Sequence, residues 1–221
     1  MDVRAPFGVS ICGIDELSGY CRAGASHVLS ILDPDWPVPD AFGAFGEHTR
    51  LELRFDDVIE DVPGRLAPNE NHVTRLLAFG RELVVEPRAN AHLLVHCHAG
   101  VSRSTASVAL ILAQALPQAP ARDIFGELLR IRPQAWPNLR VVELGDALLA
   151  RGGELVSGAA ELYRRQLAAR PELADSMQNG GRGREVEAAR GLRPLEPPPG
   201  APPLDPAKGR EALGSHSLEG S

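Results

Sequence analysis

Residues 96–105, His-Cys-His-Ala-Gly-Val-Ser-Arg-Ser-Thr, bring a thiol, a guanidinium and a glycine together in one short segment. Cys97 supplies a nucleophile once it is ionised, and Arg103 supplies two parallel N–H donors that fit an oxyanion. An apolar run precedes the segment and a longer one follows it, which predicts a strand, a loop and a helix. Such a loop aims backbone N–H groups and the positive end of the helix dipole at one point. We therefore expect phosphate to bind there, beside a reactive Cys97 thiolate.

The remaining residues of the loop have supporting roles. Gly100 allows a backbone conformation that a side chain would forbid, and the Ser104 hydroxyl can assist the departure of the sulfur. His96 ends the strand, and we expect it to orient the loop rather than to take part in the chemistry. An isolated cysteine is more often a packed apolar group, but the surrounding loop favours a reactive thiol at Cys97. The residues expected to bind phosphate are His98, Ala99, Gly100, Val101, Ser102 and Arg103.

This segment resembles the signature loop of the tyrosine and dual-specificity phosphatases, in which His-Cys is followed by five residues and Arg-Ser. The Ala-Gly and Ser-Arg-Ser portions match as well. The sequence IRPQAWPN, residues 131–138, is similar to the family's stretch that ends in Pro-Asn before the last helix. The resemblance covers about Phe7 to Arg151. It implies hydrolysis of phosphate monoesters through a cysteinyl-phosphate intermediate.

The resemblance also implies a general acid, an aspartate on a loop upstream of the nucleophile that protonates the leaving oxygen. Asp56 and Asp57 are the candidates, because they follow a predicted strand at the sheet edge where active-site loops gather. Adjacent residues of an extended segment point in opposite directions, so only one of the two faces the cleft. The family pattern, an aspartate followed by an aliphatic pair, favours Asp57. The competing interpretation is that both are solvated acids in a charged turn.

Alternating and helical patterns predict the elements that hold this loop. Strands are expected at Phe7–Ile14, His27–Leu32, Thr49–Phe55 and Ala91–His96. Helices are expected at Asp15–Arg22, residues 70–84, Ser104–Leu116, Arg122–Ile131, Leu139–Arg151 and Glu154–Arg170. Strands that alternate with helices favour an α/β fold with a central, mostly parallel sheet flanked by helices, as in the dual-specificity phosphatases that the loop resembles.

The length of 221 residues predicts one catalytic domain, residues 1–170, with an extra C-terminal helix. From about residue 177 the composition changes to Gly, Arg and Glu, and seven of the thirteen residues from Pro194 to Pro206 are proline. Residues 177–221 are therefore expected to form a disordered tail. Its proline-rich part could bind a partner weakly, although a plain flexible tail is the favoured interpretation.

Composition narrows the class of protein. A net charge of −6 argues against binding to nucleic acid, and no apolar stretch is long enough to span a membrane. We expect no secretory signal in residues 1–14, because they combine no basic start, long apolar run and cleavage site, and the odd number of cysteines, Cys12, Cys21 and Cys97, suits a reducing compartment. We expect a cytoplasmic location. Lys208 is the only lysine beside 22 arginines, which suggests a GC-rich bacterial genome.

No metal or other cofactor is expected, because Arg103 and backbone amides can stabilise the charge and no cluster shows metal-ligand spacing. The expected substrate is phosphotyrosine or phosphoserine/threonine in a protein, or else a small phosphomonoester. Polyphosphoinositides are disfavoured, because the loop contains no lysine. Three alternatives remain open: a phosphate-binding module without catalysis, a rhodanese-like sulfurtransferase, and an arsenate reductase.

Overall fold

Four parallel strands form the sheet in the computed structural model, which describes residues 4–20, 24–41, 46–85 and 91–191. The strands are β1 (Gly8–Cys12), β2 (His27–Leu32), β3 (Thr49–Arg54) and β4 (His92–His96), in the spatial order β1-β4-β2-β3. All three pairings are parallel. The predicted α/β fold with a parallel central sheet is therefore confirmed. Because the strands are parallel, the segments that follow Cys12, Leu32, Arg54 and His96 meet at one edge.

Eight α-helices accompany the sheet in the described residues, and a short 3-10 helix at Ile14–Glu16 precedes the first of them. Between residues 70 and 170 their bounds lie close to the predicted ones, because the apolar periodicity is strong there. The predicted helix at Asp15–Arg22 consists instead of the end of the 3-10 helix and a four-residue α-helix, and its last two residues lie outside the described residues. The helices are α1 (Leu17–Tyr20), α2 (Glu70–Val85), α3 (Arg103–Ala115), α4 (Ala121–Ile131), α5 (Leu139–Leu148), α6 (Glu154–Ala169), α7 (Leu173–Asn179) and α8 (Gly183–Gly191).

The core lies on both faces of the sheet because successive side chains of a strand alternate between the faces. Leu29, Ile31, Leu93 and Val95 belong to the larger hydrophobic cluster, to which α2–α6 also contribute. Val28 and Leu94 belong to a smaller cluster with Cys12 and Leu17. β4 is therefore covered on both faces, as its uninterrupted apolar sequence predicts, and it fixes the position of the loop that follows it.

The structure differs from the prediction over residues 177–191. These residues complete α7 and form α8, in which Glu185, Val186 and Ala189 are buried. The predicted start of a disordered tail at residue 177 is therefore wrong. The helix was missed because few of its residues are apolar, so the composition resembles that of a tail. The proline-rich segment, residues 194–206, and Cys21 lie outside the described residues.

Within the described residues, none of the helices combines the length and the apolar character that crossing a membrane requires.

Candidate active site

The loop of residues 97–102 connects β4 to α3 at the carboxyl edge of the sheet. Its carbonyl groups bond away from the loop: that of His98 accepts from the Ile14 amide at 2.9 Å, and that of Val101 accepts from the Trp136 amide at 2.9 Å. The amide N–H groups of residues 98–102 have no acceptor among the described residues. Because the carbonyls bond outward, the loop keeps a set of unpaired N–H donors, which is the arrangement that an oxyanion requires.

Arg132 holds the middle of the loop from outside. Its Nε donates to the Gly100 carbonyl at 3.0 Å and its Nη2 to the Ala99 carbonyl at 3.1 Å. Glu16 pairs with both terminal nitrogens of Arg132, and this contact lowers the pKa of the Glu16 carboxyl. The arginine of the IRPQAWPN segment thus shapes the phosphate loop without entering it.

Gly100 is required by the shape of the loop. Its φ of +68° lies in the left-handed region, and a Cβ there would stand 2.4 Å from the carbonyl carbon of Cys12. The backbone of β1 therefore approaches the loop too closely for any side chain.

We predict that Gly100→Ala lowers the free energy of unfolding by about 2 kcal/mol or more, because backbone strain and a main-chain clash combine. Gly126 in α4 is the matched control, since a Cβ there meets nothing within 4 Å. Gly126→Ala should be neutral or slightly stabilising. Urea unfolding followed by circular dichroism measures the free energy of unfolding of both variants. Equal values for the two would contradict the predicted strain at Gly100.

Cys97 lies at the start of the loop and is 2% exposed. Its Sγ lies 3.2 Å from the hydroxyl oxygen of Ser104, within hydrogen-bonding distance for sulfur. Cys12 is also buried, but it has different surroundings: burial and the Glu16 carboxylate raise its pKa to about 12. The Cys12 thiol therefore stays protonated at neutral pH, and Cys97 is the better candidate for a nucleophile.

His96 is fully buried, and its Nε2 pairs with the Ser30 hydroxyl at 2.7 Å. Burial lowers the pKa of His96 to about 4, so its ring is neutral at pH 7. His96 can therefore position the start of the loop, but it supplies no positive charge to a thiolate.

Arg103 begins α3 with a guanidinium that is almost entirely buried. Its Nη1 donates to the Asp33 carboxylate and to the Phe55 carbonyl, both at 2.6 Å. Its Nε is buried and has no partner among the described residues. Asp33 and Phe55 thus fix one side of the guanidinium and leave an N–H on another side for an oxyanion.

Asp56 and Asp57 point to different partners, as expected for neighbours on an extended segment. The Asp56 carboxylate accepts from Arg65 at 2.8 Å and from the Leu66 amide at 2.7 Å. Burial raises the pKa of Asp56, but these hydrogen bonds outweigh it and the net shift is downward. Asp56 is therefore a poor proton donor at neutral pH.

Asp57 turns towards the phosphate loop. Its Oδ1 accepts from the Ser102 hydroxyl at 2.7 Å, from Asn138 Nδ2 at 2.8 Å and from Arg182 Nη1 at 3.3 Å. Its Oδ2 accepts no hydrogen bond from the described residues. One oxygen is therefore fixed against the loop while the other is free to carry a proton.

Two residues near this site were not predicted from the sequence. Asp33 follows β2 and holds Arg103; its place after a strand, like that of Asp56 after β3, was the signal that could have revealed it. Arg182 lies just before α8, in the segment that was expected to be disordered, and no sequence pattern connected it to the loop.

Neither a scan against protein-family models nor a search of curated proteins finds a match for this sequence. Solved dual-specificity phosphatases are similar to this chain. The human DUSP28 structure shows 19% identity and a TM-score of 0.48, with 65% of this chain and 94% of that chain covered. The Yvh1 phosphatase domain from Chaetomium thermophilum shows 18% identity and a TM-score of 0.47, with 69% of this chain and 96% of that chain covered. The DUSP15 structure shows 22% identity and a TM-score of 0.46, with 76% of this chain and 95% of that chain covered. These similarities concern the fold.

Proposed function

We propose that the protein is a phosphatase that hydrolyses phosphate monoesters through a cysteinyl-phosphate intermediate. The observation that carries this proposal is the set of unpaired amides in residues 98–102, which begins directly after the buried Cys97 thiol. An oxyanion bound by these amides would have a nucleophile and the Arg103 guanidinium beside it. A phosphoryl group has the charge and the oxygen atoms that such a cradle recognises.

In the first step the Cys97 thiolate attacks phosphorus, an S–P bond forms and the ester P–O bond breaks. Asp57 gives its proton to the leaving oxygen while Arg103 and the loop amides stabilise the equatorial oxygens. In the second step water attacks phosphorus and returns a proton to Asp57, and the S–P bond breaks. The Ser104 hydroxyl, 3.2 Å from Sγ, stabilises the departing thiolate.

A cleft of about 630 Å³ beside Asp33 and Asp56 supports an aromatic ester as substrate. Its lining includes Asp33, which holds Arg103, together with Trp36 and Leu66, both 44% exposed. The Trp36 ring also packs on the His98 ring, with centroids 4.4 Å apart. Two apolar side chains beside the phosphate clamp favour the ring of phosphotyrosine over the short side chain of phosphoserine.

We place the reaction in a reducing compartment such as the cytoplasm, because the Cys97 thiol has to remain free.

The assignment of Asp57 as the general acid is tested by comparing kcat of the Asp57→Asn and Asp56→Asn variants. Both are measured with p-nitrophenyl phosphate in the presence of a reductant and a chelator. Asp57→Asn is expected to lower kcat by about 10²-fold, the lower end of general-acid effects, because nitrophenolate departs readily without a proton. Asp56→Asn is the matched neighbour and should lose only several-fold, since Asp56 is already engaged with Arg65 and Leu66.

The opposite ranking of these two variants would assign the acid to Asp56. Folded wild-type protein that turns over neither p-nitrophenyl phosphate nor a phosphotyrosyl peptide would contradict the phosphatase proposal and favour a binding module. Faster turnover of a phosphoseryl peptide than of a phosphotyrosyl peptide would contradict the proposed preference for an aromatic ester.

A further inference from the structure

Arg182 is a buried arginine, 8% exposed, that reaches the candidate acid from the far end of the described chain. Its Nη1 lies 3.3 Å from Asp57 Oδ1, and its Nη2 donates to the Ser102 hydroxyl at 3.1 Å. The same Nη2 donates to Glu185 Oε1 at 2.6 Å. One guanidinium therefore joins the acid loop, the phosphate loop and α8.

Glu185 holds Arg182 in this position. It is fully buried, and its two oxygens also accept from the Leu139 amide at 3.0 Å and from the Trp136 indole N–H. Trp136 in turn donates its amide to the carbonyl of Val101 in the phosphate loop. Burial raises the pKa of Glu185, against the opposing effect of Arg182. Trp136 thus connects Glu185 in α8 to Val101 in the phosphate loop through hydrogen bonds.

Arg184 provides a second contact between α8 and the acid loop. Its Nη2 donates to the Ile59 carbonyl at 3.2 Å, and its Nε pairs with Glu60. Residues 57–60 are thus held at one end by Arg182, just before α8, and at the other end by Arg184 in α8.

We propose that Arg182 is a positioning residue through which α8 places the Asp57 carboxyl over the phosphate loop. The inference rests on the proposed function, in which Asp57 is the general acid. Arg182, Ser102 and Asn138 all bind Oδ1, so they set the direction of Oδ2 without occupying it.

The contribution of Arg182 should grow with the need for a proton on the leaving group. Phenolate departs poorly from phenyl phosphate and depends strongly on the acid, whereas nitrophenolate departs readily. A residue that serves only the fold would slow both esters equally.

The test measures kcat/KM of the full chain for phenyl phosphate and for p-nitrophenyl phosphate. Arg182→Gln keeps hydrogen-bond donors but loses the charge, and the loss for phenyl phosphate should exceed the loss for p-nitrophenyl phosphate by about 10-fold. Arg182→Lys retains the charge but has no planar fork with which to contact Asp57 and Ser102 together, so the difference between the two esters should shrink to about 3-fold without vanishing. Arg190 in α8 is exposed, so Arg190→Ala is the matched control and should leave both rates unchanged.

Asp57→Asn, measured with the same two esters, separates the possible failures. If Asp57→Asn depends on the leaving group and folded Arg182→Gln does not, the positioning role is wrong and the proposed function stands. If neither variant shows a loss that depends on the leaving group, Asp57 is not the general acid, and the positioning role of Arg182 is wrong as well. Should Arg182→Gln not fold, Arg182→Lys is judged by the same ratio, and an unchanged ratio in that folded variant overturns the proposal.

Discussion

Cys97→Ser is expected to abolish turnover of p-nitrophenyl phosphate, with a loss of about 10⁴-fold or more in kcat. A serine hydroxyl fits the space of the thiol but does not ionise near neutral pH, and alkoxide is a much poorer leaving group than thiolate in the second step. The loop does not depend on the sulfur for its shape, because Arg132, Ile14 and Trp136 hold its carbonyls from outside. The variant should therefore fold and still bind inorganic phosphate.

Cys12→Ala is the matched control for Cys97→Ser. The Cys12 thiol is as deeply buried, and its raised pKa of about 12 keeps it protonated, so its removal should change kcat little. Acid quenching of the wild type during turnover should trap a phosphoryl group on the peptide that contains Cys97, as detected by mass spectrometry. Substantial turnover by folded Cys97→Ser protein would show that the thiol is not the nucleophile.

Arg103→Lys is expected to lower kcat/KM by about 10² to 10³-fold, the loss typical of removing a preorganised oxyanion donor. Asp33 and the Phe55 carbonyl hold Nη1 and thereby orient the whole planar group. A lysine could form the ion pair with Asp33, but it would have no second edge to offer to phosphate. The charge at the site is retained, so the loss measures the geometry of the fork.

Arg130→Lys is the control for Arg103→Lys, because Arg130 lies on the surface of α4 and pairs with Glu127. Its steady-state constants should equal those of the wild type. A kcat/KM for Arg103→Lys within about three-fold of the wild-type value would contradict the role of the Arg103 guanidinium in binding phosphate.

The sequence predicted those parts of the site in which the chemistry is local. His96, Cys97, Gly100, Arg103 and Ser104 lie within one strand–loop–helix unit, whose apolar flanks determine the positions of its ends. The parallel sheet was predictable for the same reason, since each strand has a β-rich, bounded sequence. For the sheet and for this strand–loop–helix unit, the local sequence pattern agrees with the fold.

The long-range contacts of the site were not predictable, because tertiary packing alone brings their partners together. The place of Asp33 after β2 points to the active-site edge of the sheet, but no sequence pattern pairs it with Arg103, which is 70 positions away. Helix α8 was missed because Val186 and Ala189 are its only buried apolar residues, while its third buried residue is Glu185. A buried face that consists partly of a carboxylate shows little apolar periodicity. Its role depends on a hydrogen-bonded network, which hydropathy does not report.

The contacts of Arg182 also have a consequence for protein synthesis. Arg182 follows Asp57 by 125 positions and Ser102 by 80. Because a chain emerges from the ribosome N-terminus first, the strands and the phosphate loop can fold before α8 is made. A growing chain would then possess its anion cradle while the acid loop still lacked its anchor. Full activity would therefore have to wait until Arg182 and α8 had been made.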